Sequence, residues 1–446
     1  MEYLLSFIYL FLILIFIKKS SFFANLNLKT NTLFFLFFLK LVAAYCLFLV
    51  YTKYYTDRST ADIFKYFDDS TWLFKNVFSK SPINYLKIIF GIHTDHPYIH
   101  YELKQTQYWF KPHETNVFND NRTVIRFNLI IYLISLGYYH IHTLILCFLS
   151  FVGLTGIYKA FHKLFPDKTL VLLFSIYFLP SVLFWGSGIL KESILLFSVG
   201  IFIYQFTEMF IHKKKTISTF LWISISFLML TITKTYVILT LIPSILALIT
   251  FKYFKKSGIT LHFLLIHICC IAIALLINHI FPSLDILGNL VYKQHDFLNV
   301  ARDTHANSTI YVERLNNNIY SFLHFSPLAF INGMFRPSLF EFNSVSYLPA
   351  ITESLILILG IVFFIRKRNK LLDNNQKLLV FFSLYFSCFL ALLIGLVVPV
   401  LGAIVRYRVP YLPFLYSAIL VSINFSTTDF FNKIEHKICK PEYSFS

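Results

Sequence analysis

The segment ADIFKYFDDS, residues 61–70, sets Asp62, Asp68 and Asp69 just beyond the apolar run LKLVAAYCLFLVYTKYY. Read as a helix, it places Asp62, Lys65 or Tyr66, and Asp69 on one face, because positions i, i+3/i+4 and i+7 stack, while Asp68 turns away. Two carboxylates and a phenol on one face suit proton abstraction from a hydroxyl or an amine. A carboxylate at the dry margin of a membrane is expected to have the raised pKa that a general base needs near neutral pH. The alternative is a set of solvated loop acids, Asp57, Asp62, Asp68 and Asp69, balanced by Arg58 and Lys65.

Three other stretches carry groups that could act on a substrate. In LPSVLFWGSGILKES, residues 179–193, Pro180, Gly186 and Gly188 interrupt an apolar run and leave Lys191 and Glu192 at a predicted membrane mouth. Ionisable groups at that depth are usually paired or functional. Adjacent residues do not share a helix face, so each is expected to have its own partner, and the Gly-Ser-Gly turn could offer backbone N–H groups to a phosphate. An ordinary hairpin turn with a snorkelling lysine fits the same residues. In VPVLGAIVRYRVPYLPFLYSAIL, residues 398–420, Arg406 and Arg408 stand between two apolar runs, and paired guanidinium groups suit phosphate oxygens. Lipid head groups or loop acids are the other partners open to them. GIHTDHPYIH, residues 91–100, gathers His93, Asp95, His96 and His100 without the spacing of a zinc template, so a divalent metal there competes with a plain polar loop. Arg302, Asp303, His305, Glu313, Arg314 and Arg336 are acceptor-binding candidates without a motif.

The elements that must position these residues are membrane helices. Mean hydropathy is +0.66 and charged residues are 14% of the chain, far from a soluble domain. The net charge of +17 does not point to nucleic acid, since the Lys and Arg sit in short clusters between apolar runs rather than on a wetted face. Eleven runs are long enough to cross the bilayer: 2–17, 32–51, 139–160, 168–187, 193–211, 217–233, 236–251, 259–281, 347–365, 378–400 and 410–424. The pair around Lys234 reads either as one broken helix or as a tight hairpin. The first run lacks the flanks of a cleaved signal and is expected to stay as a helix. Five of the six cysteines fall inside apolar runs, so no disulfide framework is expected.

Basic clusters resist translocation. Lys18 and Lys19, Lys159 to Lys168, Lys213 to Lys215, Lys252 to Lys256, and RKRNK at 366–370 all fall on one side of an eleven-span chain. That side is expected to be cytoplasmic, with two large extracytoplasmic loops, 52–124 and 282–346, opposite, in which 124–137 and 288–303 suit interfacial or re-entrant helices. The fold class is therefore an all-α polytopic membrane protein, residues 1–446 forming one transmembrane domain. GxxxxGK[ST] and strand-embedded GxGxxG signatures are missing, which argues against ATP or NAD chemistry.

The order of these features resembles the GT-C class of integral membrane glycosyltransferases, including protein O-mannosyltransferase-like and aminoarabinose-transferase-like relatives. The resemblance rests on an acidic stretch after an early span, FWGSGILKES, and RYRVPYLPFL before the last span. It covers most of the chain in architecture and about thirty residues in motif. It implies a polyprenyl-phosphate-linked sugar as donor, a glycan, lipid or protein as acceptor, and reaction at the outer face of the cytoplasmic membrane. It makes Asp62, followed by Tyr66 four residues on, the base. Asp69, or Asp68, would support it or help hold a metal. Lys191, Arg406 and Arg408 would face the donor phosphate, with Tyr66 and Glu192 at the substrate. The adjacent acids stand here six residues after Asp62, the first span is expected to be an extra one, and no soluble domain is expected after the last one. An oligosaccharide polymerase of the O-antigen or exopolysaccharide type, and a transporter or flippase of lipid-linked cargo, are the other function classes that fit.

Overall fold

In the computed structural model the chain is helical, and among the described residues the only extended pairings are two isolated bridges, Leu28 with Cys439 and Thr309 with Val400. The structure describes residues 1–55, 57–58, 61–110, 120–253, 258–281, 285–306, 308–342, 344–367, 369, 371–424, 435 and 437–440. Of the basic clusters, Lys255, Lys256, Arg368 and Lys370 lie outside these residues.

Seven helices are long and apolar enough to cross a membrane: Thr30–Tyr54, Tyr139–His162, Lys191–Phe210, Thr235–Tyr253, Ile259–Ile277, Val345–Lys367 and Asn374–Val397. The chain is a multi-pass membrane protein by this measure. The other four predicted runs are also helical, but differently built. Glu2–Lys19 carries charge at both ends, and Ile217–Thr233 and Leu412–Val421 are shorter. The 168–187 run splits into Thr169–Tyr177 and Pro180–Trp185, because Pro180 has no N–H to continue the ladder and instead opens the second piece. Lys234 separates Ile217–Thr233 from Thr235–Tyr253. These two form a hairpin, since Lys252 returns to donate to the Phe210 carbonyl, near where the first of them began.

The predicted second loop is only partly a loop. Ile319–Phe335 is an apolar helix that packs antiparallel on Asn374–Val397. A Cβ on Gly333 would strike the Ala391 carbonyl, and one on Gly395 would strike that of Ala329. Pro327, His324, Ser326 and Asn332 dilute its hydropathy, which hides it from a sequence scan.

Contacts sort the chain into two ends. At one, Lys159 donates to the Phe22 carbonyl and Lys163 pairs with Glu208 at 2.8 Å. Gln376 reaches the Leu164 carbonyl, and Lys29 reaches that of Lys437. Helix ends rich in lysine therefore meet there. At the opposite end Glu2 accepts from the His140 backbone, and the acidic helix Asp62–Leu73 packs on Asn121–Ser135. Between the ends, Lys40 is fully buried and donates to the Gly186 carbonyl at 2.9 Å, so the buried ammonium satisfies a carbonyl freed where the broken span stops.

The most extensive helix contact is between Tyr139–His162 and Lys191–Phe210, where Gly153 and Gly200 let two backbones touch. Gly200→Val forces its side chain into the Gly153 carbonyl. A loss of about 1–3 kcal/mol or more is expected, read as a lower melting temperature of the purified protein in detergent. With the lysine-rich end taken as the cytoplasmic one, as the basic clusters lead one to expect, cysteine introduced at Asp95 should react with an impermeant maleimide from outside intact cells, whereas cysteine at Lys214 should react only after permeabilisation.

Candidate functional site

Three helix termini meet at the end opposite the Lys159–Lys163 cluster. Asp62 stands in the first turn of Asp62–Leu73, Glu192 in the first turn of Lys191–Phe210, and Arg406 in the last turn of Leu401–Tyr407. Each charge has the sign its own helix end favours. Arg406 Nη1 donates to Asp62 Oδ2 at 2.5 Å, and its Nε lies 2.9 Å from Glu192 Oε1. Glu192 is 1% exposed and Arg406 15%. Trp185, on the helix before the Gly-Ser-Gly turn, covers the guanidinium at 5.6 Å. Residues 344 apart in sequence are thus held by one ion pair.

Asp62 is wired on its other oxygen as well. Tyr108 Oη donates to Oδ1 at 3.0 Å, and Lys65 Nζ donates to that phenol at 2.8 Å. Burial works to raise the Asp62 carboxyl, but Arg406, Lys191 and the Tyr108 hydrogen bond outweigh it and hold the group below the ordinary carboxylate range. That reverses the expected raised pKa at this position, because a cation sits where only a dry margin was foreseen. The raised group is Asp69, pushed up to about 6 chiefly by burial and partly offset by its backbone hydrogen bonds. Asp69 accepts from the backbone N–H of Gln107 and of Tyr108, each at 2.8 Å. The helical face predicted from sequence thus has a division of labour: Asp69 fixes the 107–108 backbone, and Tyr108 then reaches Asp62.

Beside this lies a second cluster. Lys191 Nζ is 2.8 Å from Asp120 Oδ1, and Lys234 Nζ is 3.2 Å from Asp120 Oδ2. Lys191 and Glu192, being adjacent, point to separate partners as their spacing requires. Lys234 also lies over the Tyr407 ring at 4.3 Å, and Tyr66 donates to Asn121 at 3.1 Å while its ring faces Lys191. Asp62, Tyr66, Lys191, Glu192 and Arg406 are therefore brought together.

Other candidates fall elsewhere. Asp68 faces out and makes a two-pronged pair with Arg58, at 2.6 and 2.8 Å, the neutralised loop acid of the alternative reading. Arg408 is 1% exposed and turns into the bundle, donating to the Arg336 carbonyl and to Ser354, because it stands two residues past Arg406 on a turning helix end. It does not join Arg406. The Gly-Ser-Gly turn is buried against the Thr30–Tyr54 span, where a Cβ on Gly188 would meet Leu47, so it offers no open phosphate cradle. His93, Asp95 and His96 are exposed on a turn, and among the described residues no group of three or more His, Cys, Asp or Glu could hold a metal. Arg336 pairs with Glu341 at 3.3 Å, and Arg302 with its neighbour Asp303.

Sequence reasoning missed Tyr108, Asp120 and Lys234 as site residues. Lys234 carried a signal, a cation between two apolar runs. Asp120 and Tyr108 carried none, being single residues in polar surroundings. Comparison of the chain with protein-family models, with curated proteins and with solved structures returned no match.

Asp69 gives this site a pH signature. Its carboxyl is raised in the folded state, so the folded chain binds the proton more tightly than the unfolded one between about pH 4 and 6. Its contribution to stability is fully present below that window and is lost as pH rises through it. Melting temperatures across pH 4–7 should therefore show wild type losing ground to Asp69→Asn as pH increases. A flat difference would mean that Asp69 titrates in the ordinary range.

Proposed function

We propose that this chain is a membrane glycosyltransferase, moving a sugar from a polyprenyl phosphate to an acceptor at the outer face of the cytoplasmic membrane. The observation that carries this reading is the sharing of Arg406 between Asp62 and Glu192. A base, a phosphate-seeking guanidinium and a buried carboxylate that holds the guanidinium in place meet at one end of the bundle.

In the resting arrangement Arg406 lowers the basicity of Asp62. A donor phosphate competes for the same guanidinium. As Arg406 turns to the phosphate, Asp62 loses its cation and becomes the stronger base. The acceptor hydroxyl gives its proton to Asp62, its oxygen bonds to the anomeric carbon from the face opposite the phosphate, and the bond from that carbon to the phosphate oxygen breaks. The polyprenyl phosphate leaves with the electron pair, and the sugar is inverted. Glu192 keeps Arg406 within reach throughout, and Tyr108 orients the Asp62 carboxylate. The gain comes from placing and neutralising the leaving group, without a nucleotide.

Asp62→Asn keeps the shape and removes the base. In proteoliposomes supplied with a labelled lipid-linked sugar, turnover is expected to fall about 100- to 10,000-fold, with donor binding within about threefold of wild type. Retained turnover in Asp62→Asn, together with its loss in Arg406→Lys, would favour the polymerase reading, which relies on arginine.

A further inference from the structure

Asp120 has no part in the reaction outlined above, yet it holds the most demanding position in the cluster. Two ammonium groups, Lys191 at 9% and Lys234 at 6% exposure, converge on its carboxylate, one on each oxygen. The lysines come from different elements, one from the first turn of Lys191–Phe210 and one from the break between two helices. Holding two cations together in a dry setting requires an anion between them. The cluster also continues directly into the Arg406 site: Lys191 precedes Glu192, Tyr407 follows Arg406, and Lys191 contributes to lowering Asp62.

We propose that Asp120 is a placeholder for the phosphate of the substrate: it keeps Lys191 and Lys234 where they will take two phosphoryl oxygens, and it must withdraw for the phosphate to bind. The inference rests on the glycosyl-transfer reading and deepens it. A carboxylate has nearly the bite of the two free oxygens of a phosphodiester and the same single charge, so it preorganises the lysines for the donor, and the phosphate becomes the better ligand as the sugar leaves and its charge grows. While it is seated, the competent state is a fraction of the total, and affinity for the phosphate is reduced by that fraction. The neighbouring surface favours a phosphate carried on a lipid. An apolar groove of about 490 Å³ between Lys191–Phe210, Ile217–Thr233 and Thr235–Tyr253, lined by Phe202, Phe206, Phe227 and Ile245 among others, extends from Phe210, near the lysine-rich end, to Thr231, three residues before Lys234, a course an acyl chain could follow away from the cluster.

The full chain in nanodiscs is titrated with farnesyl phosphate and, separately, with inorganic phosphate, following Trp fluorescence. Asp120→Asn is expected to bind farnesyl phosphate at least tenfold more tightly than wild type, and the gain should vanish in the Asp120→Asn, Lys234→Met double variant. A purely structural ion pair predicts the opposite, unchanged or weaker binding, and that result overturns the proposal. If Asp120→Asn does not fold, Lys234→Met alone decides: wild-type affinity for farnesyl phosphate in that variant also overturns it. Inorganic phosphate should bind at least tenfold more weakly than farnesyl phosphate, and equal affinities would make the ligand a free phosphate and remove the lipid. Wild type that binds farnesyl phosphate, with no gain in Asp120→Asn, defeats the placeholder alone. Failure of every form to bind it defeats the glycosyl-transfer reading too.

Discussion

A guanidinium buried at the end of a membrane bundle cannot stand alone, and the candidate site is organised around that fact. Removing one member of a buried pair leaves the other uncompensated, at a cost of about 3–5 kcal/mol. Arg406 meets this constraint by drawing in Asp62 from the first large polar segment and Glu192 from the span that follows the broken one. Once those three are fixed, Lys191 must point elsewhere, and Asp120 and Lys234 complete a second pairing beside the first. The polar surface that results is continuous and nearly dry, which is where electrostatic interactions are strongest.

The packing below this surface serves to bring its owners together. Glycine contacts draw Tyr139–His162 onto Lys191–Phe210, setting the height at which Lys191 and Glu192 emerge. Lys40 binds the carbonyl left free by the break before them, which joins the Thr30–Tyr54 span to the same turn. That span in turn leads into Asp62. Asp69 and Tyr108 fold the intervening loop back over the acid. Helix breaks, which waste backbone hydrogen bonds in lipid, here coincide with the places where charged side chains are presented.

Much of this was legible in the sequence because hydropathy reports membrane helices directly: every predicted apolar run is helical, and the pattern of Asp62, Tyr66 and Asp69 on one face follows from the period of a helix. Tertiary selection was not legible. Asp68 and Asp69 are adjacent and chemically identical, and only the position of residues 107–108 decides that one is buried and one pairs with Arg58. Arg406 and Arg408 likewise differ by which way a helix end turns. The Ile319–Phe335 helix escaped because polar residues interrupt its apolar run: His324 is exposed, whereas Ser321 and Asn332 face protein rather than lipid. Depth in the bundle, not composition, explains their tolerance.

The position of Arg406 late in the chain has a consequence for biogenesis. Asp62, Asp120, Glu192 and Lys234 all leave the ribosome before it, and the helix that carries it, Leu401–Tyr407, comes only after Asn374–Val397 has been made. Until then Glu192 lacks the cation that compensates it in the finished bundle. A chain interrupted before residue 401 would be left with an acid that nothing from Leu401–Tyr407 compensates, so the last turns to be made are what settle the first charges to be placed.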